Sequence, residues 1–536
     1  MHKRSLIYIK NIIPCLILSA ITGILTGIVI FLFKTAASFV AALCDNMYSA
    51  VREKPTLIPL LVIGAAALGL ISALTTKYLA HCKGGGIPTA IAILRGLVDF
   101  SWIRNIVVVF TSALVTYLGG VPLGTEGPSV QMGTAIGRGT VRMFAKKHNA
   151  WDRYIMTGGA CAGFAAATSA PLTGIFFAFE EAHRRFSPMI FMSAASAAVA
   201  SSATITSLDK IHHKTPTLFT FTIDATLPLR FIWIAVIVGI ICGVAATLFT
   251  LTYRAVGDFI QNKLRNLSLY IKIPAVFVLV SLLGYFSAEF LGSGHSLTDT
   301  LLEGHGVFYM IIIYFVIRAL LLIVSNNAGI TGGLFLPTLA FGAMLGALCG
   351  KVLLYFSIID TSYYPIVVII GISAFLSASS RTPITAVVFS VEALGGFANI
   401  LPIALGVTVA YIVIEAIGIS SFTESVVESK VEIYSEKKEL YLADVKFTVQ
   451  KNSFAVGKEI RDILWPATCV VTSVRKNPDS LNHGTFIEQG DILHLHFTSY
   501  APDSTFSLLQ DILGVQENDV INSAEITACH HQVPEN

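Results

Sequence analysis

Charge is what this sequence has least of. Only 13% of its 536 residues are Asp, Glu, Lys or Arg, against about 25% in soluble domains. Most of the chain is therefore expected in lipid. The net charge of +3 is too small to suggest a nucleic-acid partner. The eight cysteines, Cys15 to Cys529, contain no C-x-x-C pair, so they read as small buried apolar residues rather than disulfides or a zinc site. Cys529-His530-His531 falls in a polar tail expected to be disordered. No P-loop, dinucleotide fingerprint or metal-ligand cluster is present. Gly292-Ser-Gly-His-Ser296 has the lettering of a nucleophile elbow without its strand-turn-helix setting. No enzyme activity and no cofactor are expected.

Long apolar runs take the place of charge. The first, Asn11 to Phe33, follows Lys3, Arg4 and Lys10, which places the N-terminus in the cytoplasm by the positive-inside pattern. It is too long for a signal-peptide core and reads as a retained spanning helix. Charge-free stretches recur at Thr56–Thr76, Asn105–Thr125, Tyr154–Phe179, Ser187–Leu208, Phe231–Tyr253, Ala319–Gly350, Thr361–Ser380 and Ala393–Ile414. Several do not match a single crossing of ~20 residues, and Gly and Pro interrupt many of them. The expectation is an all-α polytopic membrane protein of tilted and broken helices.

Gly124-Thr-Glu-Gly-Pro-Ser-Val-Gln-Met-Gly133 organises the rest. It sets a carboxylate, Glu126, between glycines after an uncharged run. Carboxylates at such depth cost at least a few kcal/mol and tend to carry ions or protons; a snorkelling loop glutamate is the plainer reading. Gly-Pro after Glu126 suits the first turn of a helix that starts inside the membrane. Its bare N–H groups would accept an anion, or Glu126 itself.

The stretch has an echo. Gly124, Pro128, Gly133 and Gly137 recur 209 residues on as Gly333, Pro337, Gly342 and Gly346. Pro171-Leu-Thr-Gly-Ile-Phe-Phe-Ala-Phe-Glu180 recurs 212 residues on as Pro383-Ile-Thr-Ala-Val-Val-Phe-Ser-Val-Glu392. Two homologous halves, about 11–210 and 230–420, are expected with a site between them. Shared residues build the broken helices; unshared ones do different work. Glu126 falls opposite Phe335, and Glu181 opposite Ala393. The plainer reading of Glu181 is a helix-end carboxylate paired with Arg184 or Arg185. Lys83-Gly-Gly-Gly-Ile-Pro88 is a weaker candidate for another half-helix start. The amides of Leu334 and Phe335 would face the Glu126 loop from the other side, since neutral dipoles suit an anion that must leave. Arg318 either draws anions towards the pore or has a structural or snorkelling position.

After Ile414 the text turns polar. Ser421 to Lys438 reads as a linker, and short alternating runs follow from Val445, such as Cys469–Val474 and Ile492–Phe497, with Gly457–Leu464 as a short amphipathic helix. The expected domains are 1–430 in the membrane, a small cytoplasmic α+β domain at 431–518, and a disordered tail at 519–536.

The ordered motifs Gly84-Gly-Gly-Ile-Pro88, Gly124-Thr-Glu-Gly-Pro128, Ala170-Pro-Leu-Thr-Gly174 with Glu180-Glu181, and Gly333-Leu-Phe-Leu-Pro337 resemble the CLC chloride channel and transporter family over roughly residues 10–430. The resemblance implies an inverted-repeat homodimer in the lipid bilayer, with one pore per subunit and anions held by helix N-termini. On that basis Gly85, Gly86, Ile87, Gly124, Gly127, Leu334, Phe335 and Phe422 are the anion-binding candidates. Glu126 is the gating glutamate and Glu181 the internal proton-transfer glutamate. Both together imply chloride/proton antiport in a bacterial inner membrane with cytoplasmic termini. The alternatives are a fluoride/proton antiporter and a passive voltage-gated chloride channel.

Two positions depart from the family pattern. Gly85 stands where the family commonly has Ser, and Phe422 where it has the pore tyrosine, with Thr423 next door. Each lost hydrogen bond to an anion is worth ~1.5–3 kcal/mol. The fluoride branch resembles a pattern with a pore carboxylate where this chain has Thr385, and generally lacks the Glu181 equivalent. The soluble end resembles a TrkA C-terminal domain through Asn452–Lys458 and Glu488–Leu493, which implies a small regulatory ligand or a dimer contact.

Overall fold

The computed structural model describes residues 2–78, 84, 86–98, 100–145, 149–212, 218–219, 225–264, 266–435, 440–451, 453–466, 468–476, 486–499, 502–515 and 525–529. Gly85 thus lies outside the described residues, as do Asn452 and the His530-His531 pair. Eight helices make the first half: α1 (His2–Glu53), α2 (Ile58–Tyr78), α3 (Ile87–Leu94), α4 (Trp102–Leu118), α5 (Glu126–Phe144), α6 (Asp152–Thr168), α7 (Pro171–Phe177) and α8 (Pro188–Ile211). Eight more repeat them: α9 (Trp233–Asn262), α10 (Leu269–Phe286), α11 (His295–Leu302), α12 (Phe308–Ala328), α13 (Phe335–Tyr355), α14 (Tyr364–Ser380), α15 (Pro383–Ala393) and α16 (Ile400–Ile417). Among the described residues nine helices are long and apolar enough to cross a membrane. Side chains such as Leu60, Ile63, Leu248 and Phe286 stand exposed on their outer faces, as lipid contact requires.

The repeated glycines show why the halves share them. A Cβ at Gly133 of α5 would sit 2.1 Å from the Gly159 carbonyl oxygen of α6; at Gly342 of α13 it would sit 2.6 Å from that of Gly371 in α14. Only bare backbones let each pair approach so closely. Both halves then break at a left-handed residue, Ser169 (φ 56°) and Arg381 (φ 60°), with Pro171 and Pro383 starting the short helices α7 and α15. The shared glutamates close the arrangement. Glu180 accepts from the Ile384 and Thr385 amides at 2.9 and 2.6 Å and from the Thr385 hydroxyl at 2.6 Å. Glu392 accepts from the Leu172 and Thr173 amides at 2.8 and 2.9 Å and from the Thr173 hydroxyl at 2.8 Å. Each half caps the other's helix N-terminus with a carboxylate.

Several elements differ from expectation. The first apolar run does not end near Phe33: with no Gly or Pro between Phe33 and Pro55, α1 continues through Lys34 and Asp45 to Glu53. The Tyr154–Phe179 and Ala319–Gly350 runs are each two helices, split at Ser169 and at Gly329 (φ 95°). Helix α10 and most of α12 escaped the charge-free criterion because they carry Lys272 and Arg318. The polar stretch read as a linker forms α17 (Phe422–Ser435). Its start is capped by the Ser421 hydroxyl, which accepts from the Glu424 amide at 3.2 Å, and Phe422, Val426 and Val427 bury one face.

The C-terminal lobe is a four-stranded antiparallel sheet, order β2-β3-β1-β4, with β1 (Leu440–Thr448), β2 (Val470–Arg475), β3 (Ile492–Ser499) and β4 (Glu525–Cys529). Helix α18 (Pro502–Leu513) packs its buried Leu509, Ile512 and Leu513 towards it. Strand β4 lies within the stretch expected as tail, where it pairs along the edge of β1 from Leu440–Cys529 to Asp444–Glu525. The helix expected over Gly457–Leu464 is only a 3-10 turn at Ile460–Asp462. Gly457 there is left-handed (φ 80°), and the backbone of Asp462 and Leu464 bonds outward to α6 instead of to itself.

Candidate functional site

The loops before α5 and α13 meet as the repeat requires. Gly124 and Gly333 exchange both backbone hydrogen bonds at 2.7 Å. Two side chains of α4 lace the junction: Tyr117 donates to the Gly124 carbonyl at 2.7 Å and Thr116 to that of Thr331 at 2.8 Å. The loop before α3 joins them. A Cβ on Gly127 would fall 2.6 Å from the Gly333 Cα and 2.8 Å from that of Gly86, itself left-handed at φ 94°. Three helix starts therefore converge where only glycine fits.

Glu126 is the first residue of α5 and is fully buried. Its Oε1 accepts from the Thr125 hydroxyl at 3.0 Å. Its Oε2 has no hydrogen-bond partner among the described residues and lies 2.5 Å from where Gly124 would carry a Cβ. A carboxylate held this way is costly when ionised, so it is suited to bind a proton or to give way to another anion. The burial rules out the snorkelling reading.

The other candidates surround this point unevenly. The Gly86 amide donates to the Gln131 side-chain oxygen at 2.9 Å, and Ile87 opens α3 fully inside the protein. Leu334 caps α13, and Phe335 starts it with its ring 5.0 Å from Phe164 and 5.3 Å from Phe389. Phe422 is buried at the start of α17, edge-on to Phe249 and Tyr253 with centroids 4.9 Å away. Thr423 lies next to Glu181. Tyr253 and Asn326 were not singled out in the sequence, although a polar Asn326 before Ala328-Gly329 was the available signal. Tyr253 donates to Asn326 at 2.8 Å, and Asn326 donates to the Gly84 carbonyl at 3.2 Å.

Glu181 sits in a π-helical turn, Ala178–Ala182, that continues α7, and is 9% exposed. Neither Arg184 nor Arg185 forms an ion pair with it among the described residues; Arg184 pairs with Glu424 at 3.0 Å. Arg95 also pairs with Glu424, at 2.9 Å, while its remaining nitrogens donate to the Glu181 and Ala182 carbonyls. The helix-end ion-pair reading is thereby replaced by a carboxylate whose backbone is held by Arg95.

Arg318 is likewise settled. Its guanidinium, 1% exposed, donates to the Glu289, Leu291 and Gly292 carbonyls at 2.6, 3.1 and 2.7 Å. Gly292, the first residue of the Gly292-Ser-Gly-His stretch, supplies one of these carbonyls. Arg318 lines a cavity of about 930 Å³ beside the C-terminal half of α1, together with Lys34, His295, Tyr117, Thr125 and Leu336. Thr385 is engaged by Glu180 at the start of α15.

Comparison with known proteins accounts for this arrangement. The family model of the voltage gated chloride channel matches residues 68–415, and the chain belongs to that family, the CLC proteins. A slow cyanobacterial Cl−/H+ antiporter superposes with a TM-score of 0.71 at 24% identity, over 78% of this chain and 98% of its own. A eukaryotic CLC transporter gives 0.66 at 21% identity, over 79% and 75%, and a CLC-type fluoride/proton antiporter 0.63 at 19%, over 74% and 94%. The chain has the CLC-type inverted-repeat fold and is a multi-pass membrane protein of an ion-transporting family, with a small α+β domain at its C-terminus.

Proposed function

We propose that this protein exchanges chloride for protons, with Glu126 as the gate and Glu181 as the internal proton carrier. The observation that carries the reading is the buried Glu126 carboxylate, with one oxygen unpartnered, at a helix start where three glycine loops meet. Ionised, it competes with chloride for the amides at the starts of α5 and α13. Protonated, it loses that attraction and yields to the anion. The proton then passes inward towards Glu181, which lies beside Thr423 at the start of α17. Chemistry is proton binding and displacement, with no covalent step. Gly86, Ile87, Gly124, Gly127, Leu334, Phe335 and Phe422 line the anion route in this reading, and Gly85 precedes them.

The protein works as a homodimer in a bacterial inner membrane with both termini in the cytoplasm, and its TrkA-C-like C-terminal domain takes a small regulatory ligand or makes a dimer contact. The test uses purified protein in liposomes under a chloride gradient with external pH recorded. Uphill proton movement is expected. Chloride flux without protons would make it a channel or uncoupled carrier, and a response to fluoride alone would move it to the fluoride branch.

A further inference from the structure

The C-terminal lobe is hydrogen-bonded to the membrane domain beside the start of α6. The Tyr154 hydroxyl, near the start of α6, donates to the Asp462 carbonyl and accepts from the Leu464 amide, both at 2.9 Å. Ser187, the residue before α8, donates to the same Asp462 carbonyl at 3.2 Å. Arg153 donates to the Leu464 carbonyl at 3.3 Å and to that of Trp465. Phe454 lays its ring 5.8 Å from that of Tyr154.

These residues also reach the Glu181 turn. Arg153 donates through Nε to the Leu94 carbonyl at 2.9 Å. The next residue, Arg95, holds the Ala182 and Glu181 carbonyls at 3.0 and 3.1 Å. Thr157 joins the Arg153 carbonyl to His183, two residues after Glu181. Ser187 ends the segment that leaves the turn. Thus two arginines and one short segment connect the lobe to the backbone that carries Glu181.

We propose that the lobe holds the Glu181 turn in its proton-accepting position, with Tyr154, Arg153 and Ser187 as positioning residues; the proposal rests on the antiport reading. None of the three touches Glu126, so chloride passage does not depend on them. The lobe's turn at 460–465 is then the means by which a cytoplasmic signal would change coupling without closing the anion route.

The test compares wild type with Tyr154→Phe and Ser187→Ala in the full chain. In liposomes, protons moved per chloride should fall on the order of fivefold in Tyr154→Phe and less in Ser187→Ala, with chloride flux retained. Hydrogen exchange should rise on the order of tenfold at the amides of 178–187. A merely structural role would lower both fluxes by one factor, and that result overturns the proposal, as does unchanged coupling. If wild type carries chloride without protons, the antiport reading fails, and exchange alone judges the clamp: no rise at 178–187 in either variant overturns it. Should Tyr154→Phe fail to fold, Ser187→Ala decides by the same two readouts.

Discussion

The two halves of the membrane domain are built alike and charged differently. Helices α5 to α7 and α13 to α15 share their glycine contacts, their left-handed breaks at Ser169 and Arg381, and the glutamates Glu180 and Glu392 that cap each other's half. At two positions the likeness stops. The first half has Glu126 where the second has the Phe335 ring, and Glu181 where the second has Ala393. A duplicated scaffold needs its backbone contacts twice, because each half must pack. In the proposed antiport, a single ion path needs its titrating groups once, because two facing carboxylates would repel each other and any anion between them.

Six substitutions probe that contrast. The largest effect is expected from Glu126→Gln, which should abolish proton movement while chloride still flows; Glu181→Gln should block protons and spare chloride. Chloride-driven proton pumping that persists in either variant removes that residue from the mechanism. Next come Gly133→Val and Gly342→Val, one in each half. Both should destabilise by more than ~3 kcal/mol, read as loss of folded protein on size-exclusion chromatography. If only one half suffers, the glycine contacts are not equivalent.

A smaller loss, about 1.5–3 kcal/mol, is expected from Glu180→Gln or Glu392→Gln, because each carboxylate accepts three hydrogen bonds. Thermal melting should show the two falling together, and a large disparity would break the reciprocal picture. The last effect is confined to the lobe and is read as a slope against pH. Burial pushes the Lys458 ammonium down to about 7, and its Nζ donates to the Phe454 carbonyl. The unfolded lobe keeps that proton up to ~10.4, so stability should rise with pH from about 7 to about 10, by at most ~1.4 kcal/mol per pH unit. Below about 7 both states are protonated and the slope vanishes. Lys458→Met should flatten the lobe transition in calorimetry of the full chain; an unaltered slope would assign the pH dependence to another group.

Much of the membrane domain was legible because lipid imposes a simple rule on text. Runs without charge mark helices, and the repeat of Gly124 to Gly137 at Gly333 to Gly346 marks the two starts that pair. Where a charge is neutralised by tertiary contacts the rule fails: Arg318, bonded to three carbonyls, hid most of α12. The stretch from Ser421 looked like a linker because its exposed face is polar. Only burial against α3 and α9 makes Phe422, Val426 and Val427 a helix face. In the lobe, β2 and β3 followed from alternation, whereas β4 exists through the edge it joins. The Gly457–Leu464 helix was lost to hydrogen bonds with α6 that no local pattern announces.

By itself the sequence determined that the chain lives in a bilayer, that it is two related halves, and that Glu126 and Glu181 are the carboxylates the repeat does not explain. Those conclusions need only composition and spacing. The tertiary structure decided that Glu126 is sealed among three glycine loops, that Arg95 rather than Arg184 or Arg185 holds the Glu181 turn, and that the C-terminal lobe bonds to the start of α6. Each depends on residues tens to hundreds of positions apart, whose meeting is set by packing and by the need to satisfy buried polar groups.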